Sequence, residues 1–183
     1  MKHLFILAIT AIAITFNAQA QDTKMVGGAA MYPTKNIVEN AVNSKDHTTL
    51  VAAVKAADLV DVLQSDGPFT VFAPTNEAFN MLPKGAVDNL LKPESKEQLQ
   101  TVLKYHVVPG RVSAMELTKM IKDNGGKATL KTVQGDNLYA SLDKKGNVWI
   151  WDENGGKAMV TIADVNQSNG VIHVIDHVLM PKM

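Results

Sequence analysis

The pattern of apolar and polar residues predicts helices in the first half of the chain and strands in the second half. Apolar residues recur at helical spacing in several windows, most regularly at Leu99, Val102 and Leu103. Four strand-like runs follow, separated by clusters of turn-forming residues, at positions 128–133, 138–142, 147–152 and 159–162. Helices early and strands late are typical of an α+β protein with a mainly antiparallel sheet or sandwich.

The stretch from Asn169 to Pro181 predicts a strand that is buried on both faces. It opens with an Asn-Gly turn signal, continues with β-branched residues and closes with a proline. Alternate residues of a strand point to opposite faces, and both sets here are mostly apolar. We therefore expect the rest of the domain to pack around this strand.

Two local signals predict where helices begin. A short apolar strand at residues 69–73 runs into Pro74, and Thr75 follows as the expected N-cap of the next helix. Farther along, Ser113 and Glu116 have the spacing of a capping box. Both signals depend only on neighbouring residues.

The first 20 residues have the form of a secretory signal peptide. Lys2 precedes an apolar run from Leu4 to Phe16, and Ala18–Gln19–Ala20 suits a signal peptidase. We predict cleavage near Ala20, a flexible arm over residues 21–35, and a single folded domain over residues 36–183. The apolar run is shorter than the ~20 residues that a membrane-spanning helix needs, so we expect secretion without membrane insertion.

Composition narrows the classes of function. The 183 residues contain no cysteine, which excludes disulfides and a cysteine nucleophile. Basic and acidic residues number 18 each, and removal of Lys2 with the signal peptide leaves a net charge of about −1. Arg111 is the single arginine, and the lysines are scattered. This distribution argues against nucleic-acid binding.

Catalytic and metal sites have little support in the sequence. There is no G-x-S-x-G, H-E-x-x-H or phosphate-cradling glycine motif, so we expect neither enzymatic activity nor a cofactor. His173 and His177 lie about 13 Å apart along a straight strand, whereas zinc ligands must each lie ~2.1 Å from one ion. We predict that His173 is a structural histidine satisfied by two hydrogen bonds, and that Asp176 holds a neighbouring loop.

Two segments resemble the signature boxes of the fasciclin domain: residues 70–79 and residues 169–181. Between them, Tyr105–His106 matches the tyrosine-histidine pair of that family, and the resemblance covers roughly Asn36 to Pro181. It implies a β-sandwich wedge with helices along one edge. It also implies a non-enzymatic module that binds an extracellular or cell-surface protein or polysaccharide. Some relatives bind hydrophobic small molecules, which leaves a carrier role as the alternative.

Tyr105 and His106 are the first candidate binding residues. They end the helix that Pro93 opens, where a histidine can bond the last carbonyl groups and a tyrosine can pack. The resemblance instead implies a contact with a partner. Folding and binding measured on the same variant would separate these interpretations.

Trp149 and Trp151 are the second candidate pair, and two arguments about them conflict. A four-residue loop, Asp143–Gly146, would place Leu142 opposite Asn147 and turn the tryptophans towards the core. The resemblance implies the opposite, with the neighbouring strand positions buried and the tryptophans exposed as a stacking platform for a ring or sugar.

Overall fold

The computed structural model describes residues 23–182 and confirms the α+β architecture. The predicted signal peptide lies outside the described residues. The α-helices are α1 (Ile37–Ala41), α2 (Thr48–Ala56), α3 (Val60–Gln64), α4 (Asn76–Asn80), α5 (Ala86–Leu90), α6 (Lys96–Tyr105) and α7 (Ala114–Asp123). The strands are β1 (Lys24–Val26), β2 (Ala29–Met31), β3 (Phe69–Pro74), β4 (Val107–Pro109), β5 (Lys127–Lys131), β6 (Asn137–Leu142), β7 (Val148–Trp151), β8 (Lys157–Gln167) and β9 (Gly170–Ile175).

Seven strands form one sheet in the order β4-β3-β9-β8-β7-β6-β5, while β1 and β2 form a separate hairpin. Neighbouring strands are antiparallel except for β3 and β9, which run parallel. All six residues of β9 are buried, which confirms the strand predicted between Asn169 and Pro181, although it ends at Ile175.

Strand β8 connects the two parts of the large sheet. Its first residues pair with β7, and the remainder pairs with β9 through two shifts of register, one on each side of Ile162. Asp164, with φ of 53°, lies in the second irregular stretch. Bulges bend a strand and increase its twist, so one strand can serve both parts of the sheet.

The apolar core has three clusters. The first lies between the inner face of β5–β8, helix α7 and the end of β9. The second joins β3 and β9 to the β1–β2 hairpin and α1, and the third joins helices α2, α5 and α6. The inward residues of β5–β8 are Ala128, Leu130, Leu138, Ala140, Val148, Ile150 and Ala158, all at most 8% exposed.

Residues 24–31 correct the prediction of a flexible arm. They form the β1–β2 hairpin, in which Val26 and Met31 are 4% and 2% exposed and belong to the second core cluster. The hairpin tip is held by the Lys45 N–H, which donates to the Gly27 carbonyl over 3.1 Å. The glycines mark a tight turn rather than a linker, because both Gly27 and Gly28 have positive φ.

The predicted helix starts are confirmed. The Thr75 side chain accepts a hydrogen bond from the Ala78 N–H, and Ser113 and Glu116 form both bonds of a capping box. Helix α6 buries Leu99, Val102 and Leu103 on one side, as their spacing predicts. No helix within residues 23–182 has the length and apolar character needed to cross a membrane.

Candidate functional site

The outer face of β5–β8 carries three aromatic side chains at its centre. Tyr139 lies opposite Trp151 on the adjacent strand, and Trp149 lies opposite Met159 of β8. Their sequence neighbours point into the core, so the period-two alternation of a strand directs all three rings outward. Each ring is half-buried. We call these three residues, with the outward Lys127 and Lys157, the aromatic face.

This orientation decides between the two sequence arguments about the tryptophans. Leu142 pairs with Val148, so the connecting loop includes Asn147 and is one residue longer than the four-residue loop would be. The Asp143 carboxylate builds that loop by accepting hydrogen bonds from the N–H groups of Lys145 and Asn147. Because a shift of one residue reverses the faces of a strand, the tryptophan face is the outer one.

Hydrogen bonds fix both indole rings. Trp149 Nε1 donates to the Asp143 carboxylate over 3.3 Å, and Trp151 Nε1 donates to the Ser141 hydroxyl over 2.8 Å. The polar atom of each ring is therefore satisfied within the protein, and the ring faces remain for contact. The rings are held in place before any ligand arrives.

Two lysine ammonium groups lie against the aromatic rings. Lys127 Nζ is 3.8 Å from the centroid of Tyr139, and Lys157 Nζ is 5.0 Å and 5.6 Å from the centroids of Trp149 and Trp151. These are cation–π distances. Within residues 23–182 neither lysine is within ion-pair distance of a carboxylate, so both cations lack an acidic counter-ion there.

The carboxylates near the aromatic face are engaged by their own loops. Buried Asp152 accepts three backbone hydrogen bonds, and Glu153 accepts two from Asn137. Hydrogen bonds from Asn147 lower the pKa of Asp143 to about 2. Asp143 therefore stays ionised at pH 7, and all three carboxylates hold turns of the chain instead of forming ion pairs with the lysines.

A cleft of about 580 Å³ opens beside the aromatic face. Its walls include the rings of Tyr139 and Trp151, the lysines Lys127 and Lys182, and the acidic Glu153. Aromatic, cationic and hydrogen-bonding groups thus converge on one concave surface.

Tyr105 and His106 lie inside the protein, with 0% and 3% of their surface exposed. The Tyr105 hydroxyl donates to the Asn137 carbonyl over 2.8 Å and accepts from the Glu153 N–H. Burial raises the pKa of Tyr105 to about 12. Its hydroxyl therefore stays protonated and ties the end of helix α6 to the loops that flank the aromatic face.

The two imidazole nitrogens of His106 both have partners. Nδ1 donates to the Val102 carbonyl over 2.8 Å, which is the C-terminal helix contact predicted for this residue. Nε2 accepts from the Leu179 N–H. Burial lowers the pKa of His106 to about 4, so the ring is neutral at pH 7 and holds the C-terminal segment.

His173 has the two hydrogen bonds expected of a structural histidine. Nε2 donates to the Val112 carbonyl over 2.9 Å, and Nδ1 accepts from the Asp164 N–H over 3.3 Å. Asp176 accepts from the Met159 N–H, so it holds the start of β8 rather than a loop. In the described part of the chain, no three His, Cys, Asp or Glu residues are grouped to hold a metal ion.

A second concavity, of about 90 Å³, lies between the helices and the sheet. Its walls come from the β1–β2 hairpin, helices α1–α3 and strand β3, and are mostly apolar. His47 also lines it, and its Nε2 is the one fully buried side-chain N or O atom in residues 23–182 without a hydrogen bond. Burial lowers the pKa of this histidine by more than the nearby Ala73 backbone raises it, so the ring is neutral at pH 7.

Comparison with known proteins identifies the family. The model of the fasciclin domain matches residues 45–181. The chain belongs to the fasciclin family. It is 44% identical to protein sll1483 of Synechocystis sp. over 98% of this chain and 92% of that protein. It is 39% identical to the transforming growth factor-beta-induced protein ig-h3 of Sus scrofa, over 72% of this chain but only 17% of that longer protein.

A solved structure shares the fold. The FAS1 domain pair of the insect cell adhesion molecule Fasciclin I has a TM-score of 0.70 over 80% of this chain and 51% of that chain, at 21% identity. In this fasciclin domain, the two signature boxes lie side by side as β3 and β9. Phe72 pairs with His173 in parallel register, and their rings stack 5.7 Å apart.

Sequence reasoning missed three residues of the fasciclin domain's aromatic face: Lys127, Tyr139 and Lys157. Alternation along β5 and β6 could have placed Tyr139 outward, because its neighbours Leu138 and Ala140 are apolar. No local sequence pattern identifies the two lysines as part of the face, because their role depends on which residues of β6 and β7 lie beside them. Only the pairing of strands brings these groups together.

Proposed function

We propose that this protein is an exported, non-enzymatic binding and adhesion module that contacts cell-surface, matrix or envelope partners through its aromatic face. The observation that carries the proposal is a set of three half-buried rings, two of them fixed by hydrogen bonds, flanked by two lysines without acidic counter-ions among residues 23–182. Clustered aromatic side chains on a polar surface are characteristic of contact sites. The signal-peptide pattern and the shared fold with a cell adhesion molecule support the proposal.

Tyr105 contributes to this site as a positioning residue, while its neighbour His106 holds the C-terminal segment through Leu179. Tyr105 bonds Asn137 and Glu153, which flank Tyr139 and Trp151 in sequence. Its loss would therefore loosen one end of the aromatic face without removing a contact to the partner. Tyr105 therefore differs from Trp149 and Trp151, whose rings would themselves contact the partner.

Binding to the native host's surface tests the proposal. The labelled mature chain should bind cells or isolated envelope, and the double variant Trp149→Ala/Trp151→Ala should bind at least tenfold more weakly. Met115→Ala is the matched control, because Met115 is 79% exposed on helix α7, away from the aromatic face. Circular dichroism and unfolding midpoints must first show that each variant is folded. Equal binding by the double variant and the natural chain would refute the proposal.

A second candidate function is the transport of a hydrophobic or aromatic small molecule. The apolar cavity with the unpaired Nε2 of His47 favours it, because a ligand's hydrogen-bonding group could satisfy that nitrogen. Solvent extraction of the native protein followed by mass spectrometry should then release a bound molecule. An empty extract, together with no thermal shift from small apolar compounds such as indole, would eliminate this candidate.

A further inference from the structure

We propose that the aromatic face binds a polysaccharide whose sugars carry carboxylate groups, with sugar rings stacked on the aromatic side chains and carboxylates paired with Lys127 and Lys157. This inference rests on the proposed function and names the chemistry of the partner. Three observations support it: the positions of the rings, the two lysines without an acidic counter-ion among residues 23–182, and the hydrogen-bond donors and acceptors of the adjacent cleft.

The rings form a strip suited to an extended chain of sugars. Tyr139 and Trp151 are direct cross-strand partners, and Trp149 lies two residues from Trp151 on the same face. An aromatic ring offers a flat apolar surface with little conformational entropy to lose, and here the indole hydrogen bonds reduce that loss further. The C–H face of a pyranose is the apolar surface that a sugar can place on such a ring.

The lysines stand at the two sides of this strip. Lys127 is on β5 and Lys157 is on β8, so three inter-strand spacings, roughly 14 Å, separate the two backbones. A chain lying across the strands would meet Lys127 beside Tyr139, then Trp151, then Lys157. Each cation lacks an acidic counter-ion among the described residues, so a ligand carboxylate can pair with it without displacing one.

The adjacent cleft favours an acidic sugar over a nucleic acid. Besides Lys127 and Lys182, it contains Glu153, whose two hydrogen bonds from Asn137 both go to Oε1. A sugar hydroxyl can donate a hydrogen bond to the other oxygen, Oε2, whereas a phosphodiester group has no hydrogen to donate. The combination of lysines, a carboxylate and rings therefore matches a ligand that carries hydroxyls as well as anionic groups.

A matched pair of polymers tests the inference. Polygalacturonate provides the carboxylates, and its fully methyl-esterified form keeps the sugar backbone while removing the charge. Titration of the mature chain, followed by tryptophan fluorescence and calorimetry, should show at least tenfold tighter binding to the charged polymer. Raising the salt concentration should weaken that binding and leave any binding to the ester nearly unchanged, because salt screens exposed charges.

Lysine variants locate the interaction. Lys127→Gln/Lys157→Gln should lower the affinity for polygalacturonate at least tenfold and change affinity for the ester less than twofold. Lys55→Gln/Lys104→Gln is the matched control, since it removes the same charge from helices α2 and α6. If the control variant loses as much affinity as the aromatic-face variant, the inference is overturned, because the effect is then one of net charge.

The remaining outcomes separate this inference from the function on which it rests. Equal binding of the ester, or tighter binding of a single-stranded oligonucleotide than of polygalacturonate, would overturn the acidic-sugar inference. Tryptophan-dependent binding to the host envelope with no affinity for polygalacturonate would also overturn it, while the proposed function stands. Absence of both kinds of binding would remove the proposed function as well.

Discussion

The Leu179 N–H donates a hydrogen bond to Nε2 of His106 over 3.0 Å, which ties the C-terminal segment to the end of helix α6. The acceptor exists only while the imidazole is neutral, because a protonated ring has hydrogens on both nitrogens. Nδ1 of the same ring is already a donor to Val102. The attachment of this segment therefore depends on pH.

The free energy of unfolding should fall as the pH drops from 6.5 to 4, the interval between the ordinary pKa of a histidine and the pKa of His106 in the folded protein. Burial lowers the pKa of His106 from 6.5 to about 4, so the unfolded chain binds the proton more readily. Keeping His106 neutral contributes about 3 kcal/mol to the free energy of unfolding. This contribution is complete above pH 6.5 and is lost as the pH falls from 6.5 to 4. Urea unfolding at several pH values should show this decline.

The variant His106→Gln isolates this contribution. It should show a shallower decline in unfolding free energy over the same pH range. Some decline should persist, because burial also lowers the pKa values of His47 and His173. Identical pH dependence in the variant and the natural chain would show that His106 is not the group responsible.

Tyr105→Phe should destabilise the protein while keeping its fold. The change removes the hydrogen bond to the Asn137 carbonyl and the acceptor for the Glu153 N–H, at an expected cost of about 1–3 kcal/mol. Denaturant titration measures the cost. Tyr139→Phe is the matched control and should cost less, because Tyr139 is half-buried on the outer face. Equal stability of Tyr105→Phe and the natural chain would contradict the assigned role.

Two methionines of the N-terminal hairpin provide a direct test of its packing. Met31 is 2% exposed and Met25 is 61% exposed, although both lie on the same short hairpin. Met31→Ala should lower the free energy of unfolding by about 2–5 kcal/mol, and Met25→Ala by less than about 0.5 kcal/mol. Similar small effects of both substitutions would mean that residues 24–31 do not pack in solution.

Strand β7 allows the orientation of the tryptophans to be tested by stability. Ile150 is fully buried, so Ile150→Ala should cost about 2–5 kcal/mol. Trp149→Ala should cost less despite its larger side chain, because the ring is only half-buried on the outer face. Thermal unfolding of the two variants checks the order, and the reverse order would indicate that the tryptophans face the core.

Local signals predicted the parts of the fold that depend on neighbours in sequence. The caps at Thr75 and Ser113 formed as expected, because a capping hydrogen bond spans only a few residues. The N-terminal arm was predicted incorrectly as flexible. Its two strands are three residues each, too short to show a period, and Met31 is buried by contacts with distant parts of the chain.

The sequence by itself determined the α+β class, the helix starts, the buried strand β9 and the two signature boxes, since each is expressed in local composition and spacing. Tertiary structure alone decided which side of β7 faces outward. The period of a strand is two, so the inclusion of Asn147 in the preceding loop turns Trp149 and Trp151 from the core to the surface. The same strand pairing brings Lys127 and Lys157, 30 residues apart in sequence, to one aromatic surface.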